Sequence, residues 1–154
     1  MYENLEFQRK KEDVENSTQI IESKIKKFIQ LTDYEKTILE KGVFTITVLN
    51  RIENAQKEAV KQMQSFGYYN NEIVNKEWVA NDYFTKDDFE RIIQNLNIII
   101  KSFFVYHDTP KVPNANFHYT VLNDIEKILY DIFLVLDYME ENFLECGNFD
   151  CGEI

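Results

Sequence analysis

The sequence predicts an all-α fold: a bundle of about five helices with a long N-terminal helix and an irregular aromatic loop. Three observations predict it. Apolar side chains recur every three to four positions along most of the 154 residues, the spacing that lines them up on one helix face. Only 4 glycines and 2 prolines occur, too few for the many tight turns of an all-β chain. Apolar residues make up 44%, with 12 Phe and 9 Tyr among them, so a core can form within one domain or a domain with an appended helix.

The first helix is expected from about Phe7 to Gln30. Phe7, Lys11, Val14, Thr18, Ile21, Ile25 and Phe28 alternate spacings of four and three, a heptad seam weakened by Lys11 and Thr18. The helix either packs along the rest of the chain or forms a short coiled coil with copies of itself, with Ile21 and Ile25 at the contact. Thr32 then offers an N-cap and Glu35, three residues on, completes a capping box. The second helix, about Asp33–Lys41, ends at Gly42, which suits a left-handed position after a helix. The third, about Ile46–Phe66, repeats Leu49, Ile52, Ala55 or Gln56, Ala59, Met63 and Phe66 and stops at Gly67.

A long connection from Gly67 to Tyr83 carries Tyr68, Tyr69 and the single tryptophan, Trp78; loops of this length inside compact domains often carry function. The fourth helix, about Lys86–Val105, is apolar at Phe89, Ile92, Ile93, Leu96, Ile99, Ile100 and Phe103. Pro110 and Pro113 break the chain between Tyr106 and Asn116. The fifth helix, about Tyr119–Glu145, has a wide stripe from Leu122 to Phe143 that places it at the centre of the bundle. The expected organisation is therefore an N-terminal helix over 1–31, a bundle over 32–145 and a flexible tail over 146–154.

The last three long helices start alike. Phe44-Thr45 precedes Leu49-Asn50-Arg51-Ile52-Glu53, Phe84-Thr85 precedes Phe89-Glu90-Arg91-Ile92, and Phe117-His118 precedes Leu122-Asn123-Asp124-Ile125-Glu126. With Thr45, Thr85 or His118 as N-cap, the preceding Phe and the residue five later close a hydrophobic staple over the first turn. Thr85 is also placed to accept from the Asp88 amide. Such a staple does not require Arg51 or Arg91. In an acidic chain these arginines pair with carboxylates, within the chain or on a partner.

The stretch from Trp78 through Asp82-Tyr83-Phe84-Thr85 to Phe89-Glu90-Arg91-Ile92 and Asn95 resembles a segment of tail, baseplate and fibre-associated proteins of phages of Gram-positive bacteria. Phe44-Thr45 through Leu49-Asn50-Arg51-Ile52-Glu53-Asn54 looks like a second copy of it. The resemblance covers about a quarter of the chain. It departs at Ile93-Gln94, where the family has Glu before its Asn, and no β-rich receptor-binding domain follows the helices. It thus implies an assembly or connector piece of a virion, tail or baseplate, assembled in the host cytoplasm. Partners would be other virion proteins or further copies of the chain. Trp78, Tyr68, Tyr69, Tyr83, Arg51 and Arg91 are the interface residues expected, Trp78 having a place capping the bundle core as its other reading.

Charge and motifs narrow the alternatives. Seventeen basic against 27 acidic residues leave a net charge of −10, and the densest basic run, Arg9-Lys10-Lys11, is followed at once by Glu12-Asp13, so nucleic acid is not an expected partner. The N-terminus is charged, unlike a signal peptide, and Glu126, Lys127, Asp131, Asp137, Glu140 and Glu141 interrupt the apolar run from Ile125 to Phe143, so no membrane insertion is expected. Cys146 and Cys151 lack two further ligands nearby for zinc, His107 and His118 being far off in sequence; free thiols or a small disulfide loop are the readings. No phosphate-binding glycine loop or Ser-His-Asp pattern is present, and no cofactor or metal is expected. His107-Asp108 is read as a turn, and Asp82, Asp87 and Asp88 as an acidic helix start. The chain is therefore expected to be non-enzymatic. The alternative outside a virion is a small acidic helical interaction protein: an inhibitor, an antitoxin-like partner or a regulatory adaptor.

Overall fold

The computed structural model describes residues 4–68, 72–114 and 118–146; Tyr69, Phe117 and the tail with Cys151 lie outside the described residues, as do the side chains from 143 onward, that of Cys146 included. Five α-helices follow in order: α1 (Lys11–Ser23), α2 (Asp33–Gly42), α3 (Ile46–Ser65), α4 (Lys86–Ser102) and α5 (Tyr119–Cys146), with no strand among the described residues. The fold is all-α.

The core forms where the apolar stripes of α3, α4 and α5 meet. Leu122, Ile125, Ile128, Leu129, Ile132, Phe133 and Leu136 of α5 are buried against Leu49, Ile52, Ala59 and Met63 of α3 and Phe89, Ile92, Leu96 and Ile99 of α4. Burial of each large aliphatic side chain stabilises the fold by roughly 2 kcal/mol. The helix starts are capped as their residues require. Thr32, Thr45 and Thr85 accept from the amides of Glu35, Val48 and Asp88, and the Glu35 and Asp88 carboxylates accept in return from the amides of Thr32 and Thr85. The starts of α3 and α4 lie side by side, so Phe44 stacks on Phe84 at 5.4 Å, and both meet Phe89 edge-on at 6.4 Å. Phe44 and Phe84 thus join two helices, and Phe84 also closes on Phe89 over its own first turn.

Four expectations are corrected. Helix α1 spans Lys11–Ser23, not Phe7–Gln30, because the residues before it are extended and pinned to α5, and Lys10 begins the helix with Asp13 accepting from its amide. A 3-10 turn over Ile25–Lys27 then ends it. The heptad seam is only partly the face that α1 packs: Val14 and Ile21 are half-buried on either side of the fully buried Ser17, whereas Thr18, Ile25 and Phe28 are exposed. This face packs on α2, so the two helices form a hairpin across the boundary expected at residue 31.

Gly42 does not take the left-handed conformation, since α2 runs through it. Its role is close approach. A Cβ at position 42 would lie 1.9 Å from Ser17 Oγ and 2.3 Å from the Asp13 carbonyl oxygen. The Ser17 hydroxyl bridges the hairpin through the carbonyls of Asp13 and Ile38, both at 2.8 Å. Helix α4 stops at Ser102, short of Val105, because Phe103 turns into extended backbone to place its ring in the core.

Two helix ends share one motif with different residues. After α3, Gly67 takes φ 94 while its amide reaches Gln64 and the Tyr68 amide reaches Met63, the paired bonds of a Schellman turn. After α1, the Phe28 amide reaches Ile25 and the Ile29 amide reaches Lys24 in the same pattern, with Phe28 at φ 56. Glycine takes this conformation freely, whereas a residue with a Cβ pays roughly 1–2 kcal/mol.

Candidate functional site

The residues of the repeated helix start converge on backbone. Trp78 donates its amide to Asn50 Oδ1 at 2.8 Å, and Asn50 Nδ2 donates to the Trp78 carbonyl at 2.9 Å. On α4, Asn95 does the same for Val74, accepting its amide at 3.2 Å and donating to its carbonyl at 2.9 Å. On α5, Asn123 holds Arg9 at 3.1 and 2.9 Å. A carboxamide carries a donor and an acceptor side by side, so each asparagine satisfies both polar groups of an extended residue, as a neighbouring strand would. Three helices hold two extended segments by this means.

A buried glutamate completes two of the three clasps. Glu53, three residues after Asn50, accepts from Arg91 Nη1 at 2.6 Å, the Trp78 indole at 3.3 Å, the Lys76 amide at 3.1 Å and Asn75 Nδ2 at 3.1 Å. Glu126, three residues after Asn123, takes Arg51 Nε at 2.8 Å, the Glu6 amide at 3.2 Å and Arg9 Nη1. The arginine of α4 therefore serves the glutamate of α3, and the arginine of α3 serves the glutamate of α5. A charge buried among apolar side chains is tolerated only when paired and hydrogen-bonded, which both glutamates are.

The two locks differ in charge balance. Arg9 and Arg51 share one carboxylate, and Arg9 keeps Nε and Nη2 without a partner among the described residues. Burial pushes the Glu126 carboxyl above the ordinary carboxylate range against the pull of both arginines, and lowers the Arg9 guanidinium. Asp88 stands the other way. Burial alone would raise it, but the Thr85 hydroxyl and amide, Arg91 and Lys76 hold it low.

The chain matches no protein-family model, no curated protein and no solved structure.

The expected interface residues fall into two groups. Trp78 is 3% exposed and its ring packs on Phe84 at 5.6 Å under the Lys76 ammonium, so it is a core residue and not an aromatic platform. Arg51 and Arg91 find their carboxylates inside the chain. Tyr83 is exposed, Tyr68 lies partly exposed edge-on to Phe103 at 5.3 Å, Ile25 is exposed and Ile21 half-buried. The locks and these exposed side chains are therefore separate sets.

Polar residues of the loops make local contacts. Asp82 accepts the Val79 amide at 3.1 Å, closing a turn in which Asn81 is left-handed. Thr109 ties the proline loop to buried Asp131 at 2.8 Å, and His107 is fully exposed beside Asp108. Among the described residues no three His, Cys, Asp or Glu side chains gather as ligands, and no helix is long and apolar enough to cross a membrane. Sequence reasoning missed Asn50, Glu53, Asn95, Asn123, Glu126 and Arg9 as a set. The signal was there: Glu53 and Glu126 fall on the apolar stripes of their helices, where a lone carboxylate needs a buried partner.

Proposed function

We propose that this chain is a non-enzymatic structural piece of a bacteriophage virion, a tail or baseplate connector that works through protein–protein contacts. One observation carries the reading. The residues that resemble the phage segment, Asn50, Arg51, Glu53, Trp78, Arg91 and Asn95, converge in locks that hold extended backbone against helices. Their chemistry goes into rigidity. A polar network satisfied in this way fixes one arrangement of the chain, which a connector needs if it is to present its surface to neighbours in constant register. Exposed aromatic rings at Tyr34, Tyr83, Phe104 and Tyr138 supply surface for such contacts.

The test is quantitative mass spectrometry of gradient-banded virions from a phage that encodes the chain. The expected result is a fixed copy number per particle that survives a high-salt wash. Recovery from the lysate alone, with none in the particles, would favour the small acidic inhibitor or adaptor instead.

A further inference from the structure

The α1–α2 hairpin is built as a unit apart from the bundle. Its helices are tied to each other by the Ser17 hydroxyl on the Ile38 carbonyl at 2.8 Å, the close approach at Gly42 and the Lys24–Glu35 ion pair at 2.6 Å. Leu39 is buried, yet it lies outside the core that α3, α4 and α5 share. Among the described residues, no hydrogen bond or ion pair joins residues 11–42 to those three helices. Two hollows lie at the junction. One, of about 480 Å³, is lined by Val14 of the hairpin together with Tyr119 and Leu122 of α5. The other, of about 660 Å³, is lined by Glu40 of α2 together with Thr47, Asn50 and Asn54 of α3. Close packing of the kind found in a protein interior therefore stops where the hairpin meets the bundle.

Two attachments hold the hairpin, and both sit at its base, where the start of α1 lies against Gly42. One is the link over residues 43–45, in which Val43 and Thr45 are extended. The other is the strap over residues 5–9. Its Leu5 lies in the core, its Phe7 ring meets Tyr130 at 5.0 Å, and its Arg9 is locked to Asn123 and Glu126. Much of that seat reads backbone: the amides of Glu6 and Arg9 and the Arg9 carbonyl. Hairpin and strap thus form an arm that is hinged at the link and latched at α5.

We propose that this arm is exchanged between copies of the chain, the strap of one copy lying in the α5 seat of the next. The seat itself identifies the occupant: its partners are the atoms of residues 5–9, and a second copy brings the same atoms. Exchange keeps every bond of the lock and leaves the packing within the hairpin intact. What it costs is the entropy of association, so concentration drives it. A link of three residues gives little slack for folding the arm back on its own bundle, the situation that invites exchange. A reciprocal pair closes on a two-fold axis, whereas an arm passed from each copy to the next builds a ring. The exchange deepens the connector reading by naming the neighbour as a copy of this chain, and for its place in a particle it rests on that reading.

Photocrosslinking between labelled copies tests the exchange. Full-length, isotopically light protein with benzoylphenylalanine in place of Phe7 is refolded from urea with an equal amount of isotopically heavy protein that keeps Phe7, then irradiated. Position 7 should join the peptide containing Tyr130, and about half of the joints should be mixed in label, as random pairing of copies requires. Sedimentation over a concentration series should show the matching association. Gly-Ser-Gly-Ser inserted between Val43 and Phe44 gives the strap slack to return to its own seat, and it should weaken association about tenfold. The insertion touches neither a helix nor the strap, and in this variant the joints to Tyr130 should persist but fall within one label, which shows that the seat still forms. A monomer at every concentration, joints confined to one label in the parent chain, or association indifferent to the slack link would overturn the exchange. A monomer that is nonetheless counted in virions sinks the exchange alone, whereas mixed joints in a protein missing from virions uphold the exchange and sink the connector reading.

Discussion

Asn50 and Trp78 hold each other by two reciprocal hydrogen bonds, amide to carboxamide oxygen at 2.8 Å and carboxamide nitrogen to carbonyl at 2.9 Å. The pair lies 28 residues apart in sequence and ties an extended segment to α3, with the indole buried beneath it. Replacing Asn50 by Ala leaves both backbone groups of Trp78 unmet. Stability should fall by about 2 kcal/mol, read as a lower urea midpoint at unchanged slope. Asn50→Asp keeps the acceptor for the Trp78 amide but sets a carboxylate oxygen against the Trp78 carbonyl, so it should lose at least as much.

The lock on α5 predicts an asymmetry. Glu126 neutralises both Arg9 and Arg51, so Glu126→Ala strands two cations and should cost about 3–5 kcal/mol. Arg9→Met leaves Arg51 paired and fills similar volume, so it should cost about 1 kcal/mol or less. Equal losses in chemical denaturation would contradict the shared-carboxylate arrangement.

Gly42→Ala should force the hairpin apart, at a cost of about 2 kcal/mol from overpacking. Ser17→Ala in the same chain should recover only part of it. The Asp13 carbonyl, 2.3 Å from the added methyl, belongs to the backbone and cannot rotate away. Hydrogen exchange across α1 and α2 reads the outcome, and protection in α3–α5 should stay as it was.

Acid should also loosen the same hairpin. Lys24, then the Thr32 amide and hydroxyl, hold the Glu35 carboxyl down to about 2 from its ordinary 4.5. Because the folded value is the lower one, the contribution is complete above about 4.5 and fades as pH falls toward about 2. Amide protection in the first turn of α2 should fade over that window, and Glu35→Gln should flatten the fade.

How far the sequence was legible depends on where each residue's partners lie. The stripes of α3, α4 and α5 and the caps at Thr32 and Thr85 are local patterns, and they appear at or within a few residues of the expected places. Residues 7–10 were read as helix because Phe7, Lys11 and Val14 keep helical spacing. The partners that pull this segment straight, Asn123 and Glu126, lie more than a hundred positions on. Gly42 looked like a helix terminator because that is the commoner use of glycine, and only the neighbouring helix shows that its missing Cβ matters. Arg51 and Arg91 stood out as needing carboxylates. Which carboxylates, and that they lay within the chain, required the folded arrangement.

The account rests on side-chain carboxamides standing in for a neighbouring strand, and hydrogen exchange resolved by residue tests that most directly. The amides of Arg9, Val74 and Trp78 lie outside every helix, yet they should exchange as slowly as helical amides. Asn123→Ala should release Arg9 and spare Trp78, and Asn50→Ala should do the reverse. Free exchange at all three positions in the parent chain, or protection indifferent to both variants, would contradict the clasps and the rigid scaffold built on them.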